Sequence, residues 1–213
     1  MIKKLFTIAL LCSAFIANSQ SFSLSYPFNL VTTSSGLIDP TPTPTAVGVT
    51  SGSFTAVGTP SVNPNAGSRF SFVGWPNGST NGINTYSTMT GAINTSEYYE
   101  ITITPQSGYT IALNTMSFTI QRSSTGIRSY AVRTNIDNYA NNLPASIVTN
   151  TTNLSVVGTN QFFWNSDALS SAQSGSTINF YGTTITTATS FRFYGWNSEA
   201  GGGTFSIDNV LIN

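Results

Sequence analysis

From Phe22 onward the hydrophobic positions recur at every second residue. Runs such as YYEITIT (98–104), SYAVRT (129–134), FRFYGW (191–196) and TFSIDNVLI (204–212) alternate aromatic or β-branched residues with polar ones, and clusters of Gly, Pro, Asn and Ser separate them. Alternation places successive side chains on opposite faces of a strand, and no stretch sustains the 3.6-residue period of a helix. The pattern predicts an all-β chain of about ten short strands: Phe22–Leu30, Ala46–Val49, Ser53–Val57, Arg69–Val73, Tyr98–Thr104, Met116–Arg122, Arg128–Ile136, Thr177–Tyr181, Ser190–Tyr194 and Gly203–Ile212. That many short strands close most simply as a two-sheet antiparallel sandwich.

The segments between strands carry their own signals. DPTPTPT (39–45) removes backbone donors at three prolines, which predicts an extended surface loop. The tetrapeptide TAVG at 45–48 and again at 55–58 reads as the two arms of a hairpin around TSGS. No third copy follows, so a solenoid is not indicated. The stretch 138–165 gives no clear assignment, and Asp167–Ser171 fits a helical turn. No shift of composition marks a second domain, so residues 20–213 are expected to form one.

Residues 1–19 have two lysines, an apolar run from Leu5 to Ile16 and small residues at Ala17 and Ser19. This is the build of a secretory signal peptide, and the run is too short for the roughly 20 apolar residues of a membrane-spanning helix. The expected locations are therefore extracellular, periplasmic or outer-surface. Cleavage near Ser19 takes away both lysines and the only cysteine, and the chain has no histidine. Five arginines against seven carboxylates then leave a net charge of −2 and no possibility of a disulfide. Scattered arginines without lysine form no basic footprint for a phosphate backbone, so nucleic acid is not an expected partner. Without His, Lys or Cys there is no Ser-His-Asp or Cys-His arrangement, no Schiff base and no imidazole or thiolate metal site. Carboxylate chemistry alone survives, and the closest acids, Glu97 and Glu100, would face opposite ways on a strand. Enzyme activity is not expected.

The densest chemistry lies in FRFYGWNSEAGGGTFSID (191–208), with five aromatics, an arginine, two carboxylates and a glycine triplet. Alternation sends Phe191 and Phe193 to the core and Arg192, Tyr194 and Trp196 to the other face. Either that second face is a crowded exterior or it is a platform, since sugar C–H faces pack on aromatic rings while Arg and carboxylates bond hydroxyls. The platform reading makes Arg192, Tyr194, Trp196 and Glu199, with Trp75, the ligand-binding residues. Trp75 and Trp164, beside turn residues, equally fit as caps on the core. Gly201–Gly203 suits a tight hairpin. Three of the five arginines, with Asp137, lie in QRSSTGIRSYAVRTNIDNY (121–139), where cross-strand ion pairs explain them; there Ser129, Ala131 and Arg133 are expected outward and Tyr130, Val132 and Ile136 inward. Asp208 sits among residues that want burial and asks for a partner: an arginine, Arg122 or Arg133, or a hard cation.

By RFSFVGWPNG, by the long run from Tyr98 to Leu143, and by FRFYGWNSEAGGGTFSIDNVLI, the chain resembles secreted β-sandwich modules common in Bacteroidetes, which occur beside hydrolases or a secretion-sorting tail. The resemblance covers most of the chain from Phe22. It implies a jelly-roll, galactose-binding-like architecture shared with many carbohydrate-binding modules, with the last strand central or next to the N-terminal one. It also implies a structural Ca²⁺ on the acid of the last strand, Asp208, with Asn29 the polar residue of the first strand; no other cofactor is implied. No sorting tail follows Asn213, which leaves surface anchoring open. The expected function is that of a secreted, non-catalytic binding module for glycan or cell-surface polysaccharide. An adhesive or structural extracellular protein is the alternative, and a carboxylate-only glycan hydrolase or lyase a lesser one.

Overall fold

A computed structural model describes residues 21–58, 61–62, 66–148 and 151–213, so the leader assigned to residues 1–19 lies outside the described residues. Among them are fourteen strands: β1 Leu24–Tyr26, β2 Val49–Ser51, β3 Thr55–Val57, β4 Ser61–Val62, β5 Phe70–Val73, β6 Tyr98–Pro105, β7 Ile111–Gln121, β8 Ser129–Thr134, β9 Ala145–Ile147, β10 Leu154–Val157, β11 Gln161–Trp164, β12 Gln173–Ile185, β13 Thr189–Trp196 and β14 Thr204–Ile212. Sheet I runs β4-β5-β14-β7-β12-β9, with β1 beside the far half of β14; sheet II runs β10-β11-β8-β13-β6-β2, with β3 also on β6. Every strand pairing is antiparallel. The architecture is the expected two-sheet antiparallel jelly-roll sandwich, and β14 lies between β5 and β7 and against β1.

Alternation builds the core. On β6, Tyr99, Ile101 and Ile103 point inward and are buried, while Tyr98, Glu100 and Thr102 point outward. Between the sheets lie mostly rings, including Phe54, Phe70, Phe72, Trp75, Phe118, Tyr130, Phe162, Phe193 and Phe205. Their contacts range from the stacked Tyr130–Phe162 pair, with centroids 4.7 Å apart, to tilted pairs at 6.2 Å. Edge-on and offset pairs of this kind add about 0.5–1.5 kcal/mol each beyond burial. Tyr99 also ties the sheets together: its hydroxyl donates to Phe205 O on β14 and accepts Phe72 N on β5.

Two strands break step. In β7 the buried series 111, 113 continues at 116, 118, 120, and in β14 the series 205, 207 continues at 210, 212. The β12–β7 and β14–β7 ladders shift register near these steps, between Asn179 and Thr183 and between Asp208 and Leu211. The extra residues lie on β12 in the first shift and on β14 in the second, and β7 makes its own step where Asn114 N and Thr115 N both donate to Asn213 O; each bulge turns its strand so that the next apolar residue again faces the core.

Several expectations are corrected. The two TAVG copies do not form a hairpin: β2 and β3 run consecutively along one edge of β6, Val49 opposite Pro105 and Val57 opposite Tyr98. Gly201–Gly203 does not close a hairpin either, because β13 and β14 belong to opposite sheets and the turn carries the chain across the sandwich. Backbone at Thr125 O lies 2.1 Å from where a Gly203 Cβ would stand, so only glycine fits that crossing. Stretch 138–165 holds three strands, β9 to β11, and Asp167–Ser171 is a non-helical turn. In the proline loop Pro40 and Pro42 are exposed as expected, but Asp39 and Thr41 turn inward, the carboxylate accepting Thr41 N at 2.9 Å.

Candidate functional site

The outer face of sheet II is where the surplus aromatics of β13 emerge, and a loop covers most of them. Phe191 and Phe193 enter the main core; Tyr194 and Trp196, on the opposite face, are buried too, at 1% and 3% exposure, in a second cluster with Ala131, Ile93 and Tyr98. Ile93 comes from segment 74–97, which joins β5 to β6 and folds back over the sheet. Three sets of bonds hold it there. Gly78 N donates to Ser198 O at 3.0 Å, Gly91 N donates to Asn197 Oδ1 at 2.7 Å, and Tyr86 Oη donates to Gln161 Oε1 while its ring meets Phe163 edge-on. A Cβ on Gly91 would lie 2.5 Å from Asn197 Oδ1 and 2.6 Å from Asn77 O, so glycine permits the closest approach.

Between this loop and the strands lies an open hollow of about 410 Å³. Trp196 and Arg133 stand on the sheet side, Gln161 and Asn197 at the ends of neighbouring strands, and Tyr86 and Ser87 on the loop. Arg133 is fixed by Nε to Asn142 Oδ1 at 2.8 Å and Nη1 to Tyr139 O at 3.1 Å, with its guanidinium 5.6 Å from the Tyr194 ring centre. Asn197, at φ 60, reaches both ways, accepting Gly91 N and donating to Ser129 Oγ. The walls therefore offer an indole, a guanidinium, amides and hydroxyls held by strands and a pinned loop.

Arg192 leaves the hollow to one side. It pairs with Glu100, its register partner on β6, at 2.6 Å, and its guanidinium lies between the rings of Tyr98 and Tyr139, 4.0 and 3.8 Å from their centres. Both side chains remain about a quarter exposed. Two faces of the cation are thus occupied within the protein.

Glu199 belongs to a buried charge knot at one end of the sandwich. Arg122 Nη2 donates to Glu199 Oε1 at 2.9 Å and to Asp167 Oδ1 at 3.1 Å, and Arg128 Nη1 donates to the same Asp167 oxygen at 3.2 Å. Arg128 also binds Trp164 O and Ile83 O, and Asp167 Oδ2 accepts Gly82 N, so the knot grips segment 74–97 at residues 82 and 83. Burial pushes Asp167 up, but hydrogen bonds from Glu199, Gly82 N–H and Arg122 outweigh it and hold that carboxyl at about 2. Burial and the neighbouring Asp167 raise Glu199 to about 7 against the pull of Arg122.

The platform expected from the sequence is not assembled. Trp75 lies in the main core at 1% exposure, its Nε1 donating to Phe72 O at 2.9 Å and its ring edge-on to Tyr99 and Phe205. Trp164 is fully buried. Of the five residues, Trp196 alone lines the hollow; Tyr194 lies beneath the covered face, Arg192 is sandwiched beside it and Glu199 is in the knot. Ile136, expected inward, is 57% exposed, because the chain turns out of β8 into a 3-10 turn there. The partners proposed for Asp208 are engaged elsewhere, Arg122 in the knot and Arg133 with Asn142 and Tyr139. Asp208 instead caps the β14 bulge: its oxygens accept Asn209 N at 2.7 Å and Asn209 Nδ2 at 2.9 Å, Asn209 having φ 48, and Arg69 is the cation acting on it. Asn29 is exposed in the turn after β1. No group of three or more His, Cys, Asp or Glu side chains placed to hold an ion occurs among the described residues.

Sequence reasoning missed Arg133 as a site residue, and Gln161, Asn197 and Tyr86 altogether. The available signal was the length of the connection between the strands at 69–73 and 98–104, since loops beyond about 12–15 residues usually carry function. No helix among the described residues is long and apolar enough to cross a membrane. No protein-family model matches the chain, and no curated protein matches it. Among solved structures it is similar to the K1 cleaved adhesin domain of Lys-gingipain from Porphyromonas gingivalis W83, at 11% identity over 91% of this chain and 98% of that one, with a TM-score of 0.38. The K3 cleaved adhesin domain of the same protein is similar at 14% identity over 79% and 93%, with a TM-score of 0.35. At these scores the likeness assigns the chain neither a function nor a partner.

Proposed function

We propose that the chain is an exported, non-catalytic binding module whose ligand is a neutral, polyhydroxylated one, a glycan, held in the hollow over Trp196. The observation that carries this reading is the composition of the hollow: an indole, a guanidinium, two amides and two hydroxyls, with no carboxylate among its lining residues. Planar donors and acceptors bond vicinal hydroxyls, while the indole, 3% exposed, forms part of the wall and not an open stacking face. The most strongly perturbed carboxylates, Asp167 and Glu199, share one Arg122 nitrogen inside the knot. They have no room to flank a glycosidic bond at the 5–10 Å that hydrolysis needs.

The test is retention of the purified mature domain on insoluble polysaccharides and a glycan array. Ala92, exposed at the rim, supplies a control because its side chain is not part of the core. Ala92→Arg is expected to obstruct the hollow, abolishing retention with the melting temperature unchanged. Retention that survives Ala92→Arg and Arg133→Ala together would place the ligand elsewhere.

A further inference from the structure

Strand β12 outruns its partner at the edge of sheet I. β9 covers only Ser176–Ile178, and Asn179 N reaches Pro144 O at 2.9 Å; residues 180–182 form a bulge without register partners on β7, Thr183–Ile185 pair with β7 on one side, and no described strand lies on the other. In an antiparallel ladder alternate residues turn their N–H and C=O away from the partner, so this edge offers unpaired main-chain groups to solvent. Edges are normally guarded by lysine, proline or charge, yet 182–188 reads GTTITTA. The bulge at the start of the open stretch holds Tyr181 at φ 51, a conformation costing a bulky residue about 1–2 kcal/mol, and leaves its ring 82% exposed.

The space beside this edge is a groove. A hollow of about 390 Å³ follows Thr183 to Thr189, with Asn135 and Ile136 as its far wall, and meets a second of about 260 Å³ at Ile136 and Thr183. Leu143, Pro144, Phe180 and Phe191 line the second, which is chiefly apolar, and Tyr181 stands at its mouth. Asp137 is the single charged residue lining the pair, and its carboxylate is already occupied by Ala140 N and Asn141.

We propose that this groove receives an extended, uncharged polypeptide segment of a partner protein, which adds to β12 as a further strand and seats one bulky apolar side chain against Phe180 and Phe191. Donors and acceptors alternating at strand spacing are matched by another backbone, and the contiguous apolar pocket supplies side-chain selection, the two elements of strand addition. The groove lies apart from the hollow over Trp196, with which it shares no lining residue.

The probe is a blocked heptapeptide alternating Thr and Val with Phe at its centre, added to the mature domain and followed by amide hydrogen exchange. Exchange at the open-edge amides between Gly182 and Ile185 is expected to slow by about tenfold or more at saturating peptide. The same peptide N-methylated at alternate residues should lose the effect, and so should Tyr181→Ala and Ile136→Asp, both of which alter exposed side chains. Protection by the N-methylated peptide equal to that by the parent would overturn strand addition, as would no protection at all. Protection by oligosaccharides in place of peptide would make the groove a glycan site. Protection that grows with protein concentration alone would make the occupant a second copy, and either result would refute a partner strand.

Discussion

Replacing Trp196 with alanine separates a ligand-facing ring from a core ring. Trp196 is 3% exposed and packs with Tyr194, Ala131 and Ile93, so the truncation empties a covered site. Trp→Ala in a closed core costs about 3–5 kcal/mol. Because one edge of this ring borders an open hollow, water can fill part of the void, which puts the expected loss at the lower end, about 3 kcal/mol. For a chain of this size each kcal/mol moves the melting temperature by about 2–4 °C, so Trp196→Ala should lower it by about 6–12 °C in a calorimetric scan. Polysaccharide retention should fall as well when measured well below the new midpoint, since the indole is a wall of the hollow. A melting temperature within about 1 °C of the parent would show that the ring bears no core load and that segment 74–97 does not cover it. Lost stability with full retention would instead remove Trp196 from the binding site and leave it a packing residue.

Other outcomes follow from the knot, the core bridge and the bulges. Glu199 is raised in the folded state, so its contribution is full below its ordinary range near 4.5 and fades as pH rises toward 7; Asp167 is depressed, so its contribution is present above its ordinary 3.8 and is lost as pH falls toward 2. The melting temperature should therefore peak on the acid side of neutrality, between about pH 4 and 6, and Glu199→Gln should flatten the decline toward pH 8; a flat profile from pH 5 to 8 in the parent would contradict the knot. Tyr99→Phe strips one bond each from Phe205 O and Phe72 N and should cost about 1–3 kcal/mol in urea unfolding, whereas no loss would mean that neither bond spans the sheets. Tyr181→Asn keeps the bulge with a residue suited to positive φ and should stabilise by about 0.5–1 kcal/mol; destabilisation would mean that the exposed ring is packed. Asp208→Ala should cost about 1 kcal/mol through the lost bulge cap while a chelator leaves the parent unmoved, and a chelator-induced fall would instead put an ion on that carboxylate.

Much of the fold was legible because alternation is a local property. β6 and β13 are readable from their own residues, and β14 finds its central place because a strand apolar at 205, 207, 210 and 212 must be buried. The bulges were legible in principle as three-residue steps in that same series. Reading straight through them put Asp208 on the core-facing set and its partner at Arg122 or Arg133, whereas its carboxylate caps the bulge through Asn209 with Arg69 the cation acting on it. Strands β9 to β11 were harder, since each is only three or four residues long and their mostly Thr, Asn and Ser surroundings blur the period.

The candidate site was less legible, for a reason that lies in chain distance. Whether Tyr194 and Trp196 meet solvent depends on Ile93, the one large apolar residue in the run TGAINTS about a hundred positions earlier, and no periodicity announces that it folds over β13. The knot is alike: Arg122, Arg128, Asp167 and Glu199 come from three separate stretches and become neighbours only when the sandwich closes. The concentration of aromatics in 191–208 is explained by two apolar clusters served by one strand, Phe191 and Phe193 on one side and Tyr194 and Trp196 on the other. That double use fixes β13 firmly in both directions. On the proposed reading a ligand in the adjoining hollow would meet Trp196 and Arg133 on the paired strands β13 and β8, while its other wall, Tyr86 and Ser87, is set by the Asn197, Gln161 and Asp167 contacts. Selectivity should accordingly respond to changes in the loop and affinity to changes in the strands, so Ser87→Ala is expected to alter which polysaccharides are retained and Arg133→Ala to weaken retention on all of them.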